Sequence, residues 1–192
     1  MRRRKPGIRA ADARARGGGP GRGSPPAAER VSDDLRLGRG GFLGERRAVA
    51  GLVLGASVSY GVVALYQFGL VRRLPEPPLP GVDAERVDAT GEAYALLRTP
   101  DAAVALASAG ITLVLTGAGG RLRHRDHPWL VLLAAGKAVG DAGAAAVLFV
   151  EQVAGHRAVC SWCTLAALCH VAAVPPALKE ARAALSALGG TR

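Results

Sequence analysis

Formal charge all but disappears from four stretches of the chain. Ala48 to Val71, Ala102 to Gly120, Pro128 to Val150 and Ala158 to Leu178 carry only Lys137 and Asp141 between them. A helix rises about 1.5 Å per residue and a bilayer's hydrocarbon core is about 30 Å thick, so about 20 apolar residues cross it. The amphipathic helices of a soluble bundle would show charge every few residues instead. The pattern predicts an all-α membrane protein, a four-transmembrane-helix bundle with spans at about residues 48–71, 102–120, 128–150 and 158–178.

The polar segments fix the expected orientation. Residues 1–47 hold thirteen Arg and Lys against five Asp and Glu, broken by Gly17-Gly18-Gly19-Pro20 and Pro25-Pro26 and lacking a sustained apolar period. Residues 1–46 therefore read as a disordered basic tail. The first apolar run is too long for the core of a signal peptide. The connecting segments alternate in charge: 72–101 is net negative, Arg121 to Asp126 is net positive, 151–157 is neutral, and 179–192 is net positive. Basic segments stay on the cytoplasmic side. Both termini are thus expected in the cytoplasm of a multi-pass plasma or inner membrane protein, with 179–192 as a cytoplasmic C-terminal tail. Beyond Pro175-Pro176, Lys179 to Leu188 is expected to form a short surface helix.

Composition changes this picture little. The net charge of +10 would suit a nucleic-acid ligand, but no aromatic residue is interleaved with the tail's arginines, and no nucleic acid is expected. The mean hydropathy of +0.20 agrees with apolar spans beside a basic tail. Gly51/Gly55 and Gly136/Gly140 supply small-residue ridges on which helices in lipid can approach closely. Lys137 and Asp141, four residues apart, share a helix face. Either they neutralise each other inside the bundle or one of them serves a polar headgroup or a proton path.

The cysteines carry the chemistry. Three exclude both a disulfide scaffold and an all-cysteine zinc site. Cys160-Ser161-Trp162-Cys163 opens the fourth span, on the outer side in the expected orientation. Thiols at i and i+3 lie on one helix face, and the N-terminal N–H groups there favour a thiolate, as thiol–disulfide exchange requires. A purely structural bridge across three residues closes almost no loop and stabilises little. His170 is nearly three turns from Cys160, which leaves a metal site short of ligands. Cys169, about 9 Å deeper along the helix, reads as a small buried apolar side chain.

With four spans, a CxWC at the outer end of the last one and a long outer segment after the first, the chain resembles the vitamin K epoxide reductase family over roughly residues 46–190. The resemblance is carried by Cys160-Ser161-Trp162-Cys163 with Asp141 to Val159 before it, by Tyr66-Gln67, by Val82 to Thr90, and by Thr99-Pro100-Asp101. It implies a helix bundle around a quinone, with Cys160 exchanging with a partner thiol and Cys163 facing the quinone ring. Asp101 stands near the family's quinone-binding Asn, and Trp162, Lys137 and Asp141 are further candidate quinone contacts. Two departures stand out. Ala167 replaces the family's tyrosine, and segment 72–101 has no shuttle cysteine pair, with Ala84 near the second of those positions.

The expected function is thus a thiol–quinone oxidoreductase that supports disulfide formation. Electrons would pass from an extracytoplasmic thioredoxin-like dithiol through Cys160 and Cys163 to menaquinone or ubiquinone, with no metal and no flavin. The missing shuttle pair argues against vitamin K epoxide itself as substrate. It also motivates the alternative, a degenerate, non-catalytic membrane scaffold.

Overall fold

The computed structural model describes residues 25–95 and 98–189, which form a helical protein with no strand among the described residues. Helix α1 (Pro26–Leu37) precedes the long helix α2 (Leu43–Gln67); α3 (Ala84–Asp88) and a 3-10 turn (Gly91–Tyr94) follow. Next come α4 (Asp101–Gly117), the single turn α5 (Arg123–Asp126), α6 (Pro128–Glu151) with a wide turn at Gln152–His156, and α7 (Ser161–Gly189). α7 is central, packing against α2 on one flank and α6 on the other, while α4 packs against both α2 and α6. Among the described residues, three helices are long and apolar enough to cross a membrane: Leu43–Gln67, Pro128–His156 and Ser161–Gly189. The fourth apolar run forms the shorter helix Asp101–Gly117.

Small residues make the seams. Ala135, Ala138, Ala142 and Ala145 form the buried stripe of α6, at helical spacing. The expected ridge of Gly136 and Gly140 is exposed instead, and a methyl group added at either would meet nothing within 4 Å. On α2 a methyl at Gly55 would lie 3.4 Å from the Cys169 sulfur, while one at Gly51 would meet nothing within 4 Å.

Several expectations give way. Residues 1–24 lie outside the described residues, but Pro26–Leu37 of the expected disordered tail is helical. Arg47 donates to the carbonyls of Asp34, Leu35 and Gly38, putting a cation on the end of α1, where carbonyls lack helical partners. The helix also continues through Pro175 and Pro176 to Gly189 rather than breaking into a surface helix. Buried packing carries it onward, since Ala181 and Ala184 join Val131 and Ala135 in one apolar cluster.

Arginines bind the helix ends at the α4–α5 turn. Arg46 is 3% exposed and its guanidinium donates to the carbonyls of Thr116, Gly117, Ala118, Gly119 and Gly120. Arg123 donates to the carbonyls of Leu115, Thr116 and Ala118 and forms a buried bidentate pair with Glu180, at 2.6 and 2.8 Å. Those carbonyls end α4 and have no helical N–H of their own.

Candidate active site

The opposite end of the bundle carries the cysteines. After the wide turn, Arg157 takes a left-handed conformation (φ 50°), and Val159 then pairs in parallel with Val82. Val159 N–H donates to Gly81, and Asp83 N–H donates to Val159. This short pairing lays segment 74–88 across the start of α7. The Glu76 carboxylate accepts from the backbone and hydroxyl of Ser161, at 2.7 and 2.9 Å, and from the backbone N–H of Ala84. The Trp162 indole donates to the Pro75 carbonyl at 2.8 Å. One carboxylate thus caps two helices, satisfying N–H groups that a helix start leaves open.

Cys160 sits just before α7 and is fully buried, in a cluster with Leu74, Ala84, Val87 and Ala158. Its sulfur accepts the Cys163 N–H at 3.3 Å, and its own N–H donates to the Gln152 side chain at 3.0 Å. Both cysteines are free thiols. Beside them lies Asp88, 2% exposed, with its carboxylate 3.5 Å from the Cys163 sulfur. Burial pushes the Asp88 carboxyl up from 3.8 to about 6. Hydrogen bonds from Cys160 and Cys163 oppose that rise, and the nearby charges of Asp101 and Glu76 add to it.

Cys163 and Asp88 line a cleft of about 780 Å³, counting its open mouth. Tyr60, Val63, Ala102, Ala105, Ala145 and Leu148 form its walls, with Asp101, Glu151, Gln152 and His156 among its polar groups. Gln67 binds the α2 end of the cleft to its neighbours. Its amide donates to the Asp101 carboxylate at 2.6 Å, and its carbonyl oxygen accepts the Ala102 N–H at 3.2 Å. An apolar-walled cleft with a few converging polar groups suits a flat ring bearing oxygens at its edges.

The candidates from sequence divide. Cys163 and Asp101 line the cleft together, and Cys160 lies one turn behind Cys163. Trp162, Lys137 and Asp141 are not among the cleft-lining residues. Lys137 and Asp141 pair with each other and with α4. The Lys137 ammonium donates to Asp141 and to Ser108 and Thr112, whose hydroxyls also donate to Asp141. Asp88, Glu76, Gln152 and Tyr60 escape sequence reasoning. Each is a lone polar residue without a motif, and only the fold brings them to the thiols. As potential metal ligands among the described residues, Asp88, Cys160 and Cys163 offer three atoms within 4.8 Å of one another, one fewer than a closed tetrahedral zinc site uses.

The sequence profile of the vitamin K epoxide reductase family matches residues 47–178, from α2 into α7, with both cysteines inside the match. The chain belongs to the vitamin K epoxide reductase family. No curated protein and no solved structure matches it. As a vitamin K epoxide reductase family protein it is, in general terms, a membrane redox enzyme.

Proposed function

We propose that this family member is a thiol–quinone oxidoreductase built on four membrane-crossing helices, α4 being the shortest. Its termini face the cytoplasm, and its CxxC pair sits at the extracytoplasmic surface of the plasma or inner membrane. The observation that carries the reading is the cleft in which Cys163 meets apolar walls and polar edges, with Cys160 directly behind it. In each turnover both thiols are oxidised to one disulfide, and the quinone gains two electrons and two protons to become the hydroquinone. A thioredoxin-like dithiol outside the membrane then reduces the disulfide through Cys160 and leaves oxidised itself. Asp101 is the proposed quinone contact, donating to a carbonyl only when protonated. The substrate is menaquinone or ubiquinone, and the reaction needs no metal or flavin.

The fully buried Cys160 adds a condition. A protein partner reaches it only when the segment held by Glu76 opens; otherwise its electrons enter through Cys163.

Maleimide gel-shift on membranes, with single-cysteine variants beside wild type, tests the reading. The Cys160–Cys163 pair should be disulfide when the quinone pool is kept oxidised and dithiol when it is reduced. A pair that keeps one state whatever the pool does would sink the enzymatic reading and favour the scaffold.

A further inference from the structure

Asp88 has the surroundings of a group that handles protons. Its carboxylate is buried, and among the described residues its side-chain hydrogen bonds are to the thiols: Cys163 at 3.5 Å, with Cys160 also in reach. One carboxylate oxygen and both sulfurs lie within 4.8 Å of one another. Among the described residues, the groups facing it are Cys163 from α7 and Cys160 just before it, Asp101 from α4, Glu76 from the covering segment, Tyr60 and Tyr66 from α2, and Glu151 and His156 from the end of α6. No lysine or arginine among the described residues lines the cleft. A carboxyl desolvated by burial costs stability, so a purely structural role would be better filled by an apolar side chain.

We infer that Asp88 is a catalytic acid–base that takes the thiol protons and hands them to the quinone oxygens in the cleft. The inference rests on the thiol–quinone reading above. Asp88 accepts the Cys163 proton, so that the sulfur becomes a thiolate and the carboxylate an acid. The acid then gives that proton to one quinone oxygen and, emptied, takes the Cys160 proton for the other. The two sulfurs join, their two electrons go to the quinone, and nothing else is consumed.

The charge on Asp88 makes the test directional. A carboxylate beside a sulfur disfavours the thiolate, so if its only effect were repulsion, removing it would speed the reaction. A proton carrier predicts the opposite sign. The test is single-turnover reduction of menadione by the dithiothreitol-reduced full-length protein in lipid nanodiscs, from about pH 5 to about pH 8. Wild type should speed up as pH rises through about 6, where the Asp88 carboxylate forms. Asp88→Asn should be about 100-fold slower at neutral pH and lack that limb, and Asp88→Glu should recover much of the rate. An Asn variant as fast as wild type or faster overturns the assignment while leaving the functional reading intact. A wild type that reduces no menadione overturns both. Should Asp88→Asn fail to fold, the wild-type profile decides, and a rate flat across pH 6 overturns the assignment.

Discussion

Burying the Asp88 carboxylate has a thermodynamic consequence that is separate from its chemistry. The folded protein holds this proton up to about pH 6, whereas an exposed aspartate releases it near 3.8. Well below pH 3.8 both states are protonated and no penalty exists. Stability falls as pH rises from there through 6, and the loss is then constant. Two pKa units correspond to about 2 to 3 kcal/mol. Asp88→Asn should therefore melt at the wild-type temperature at about pH 3 and at a higher one near pH 8, measured in detergent by intrinsic fluorescence. Equal melting temperatures at pH 8 would mean that the charge is solvated after all. The proposed chemistry and the stability thus pull in opposite directions at one residue. Sequence could not single out this residue, because one aspartate among six acids in segment 72–101 has no periodicity or motif to mark it. Cys160 and Cys163 were legible because their i,i+3 spacing itself encodes a shared helix face.

At the scale of elements, the apolar runs point directly to helices, since in lipid only a helix or a closed barrel satisfies every backbone group, and unbroken runs of this length suit the helix. Their ends were harder to read. Arg46 and Arg123 count as basic residues in a tail and a loop when charge alone is considered, yet both are buried and cap α4. A carbonyl seeking a donor leaves no trace in composition, so these roles are invisible until the helices are packed. The Arg123–Glu180 pair allows a graded expectation. Breaking a buried pair costs about 3 to 5 kcal/mol because one charge is left uncompensated. Arg123→Ala removes Glu180's partner and three carbonyl bonds at once, whereas Glu180→Ala leaves Arg123 bonded to the same three carbonyls. Arg123→Ala should therefore be the more destabilising of the two by about 1 to 2 kcal/mol in thermal or denaturant unfolding. The reverse order would show that the carboxylate, not the carbonyl cage, holds the arginine.

For the whole molecule, the relation between the covering segment and α7 decides how the buried thiol meets a partner. Where family members usually carry shuttle cysteines, this chain has Ala84 packed in the cluster around Cys160 and Glu76 clamped to Ser161 and Ala84. The missing cysteines were legible in the sequence; the clamp was not, because Glu76 and Ser161 are 85 residues apart. Opening the segment separates Glu76 from its α7 partners and breaks the Val82–Val159 pairing and the Trp162–Pro75 bond. Glu76→Ala removes only the first of these, leaving the fold in place with the cover more weakly held. Hydrogen bonds to a charged group contribute about 1.5 to 3 kcal/mol. A loss of about 2 kcal/mol raises the open population about 30-fold, and when reclosing outpaces labelling the rate follows that population. Maleimide should then modify Cys160 about 30-fold faster in Glu76→Ala than in wild type, compared in a Cys163→Ser, Cys169→Ser background so that only one thiol reports. A labelling rate unchanged by the substitution would mean that the thiol is reached from the cleft, and that electrons from a partner must enter through Cys163.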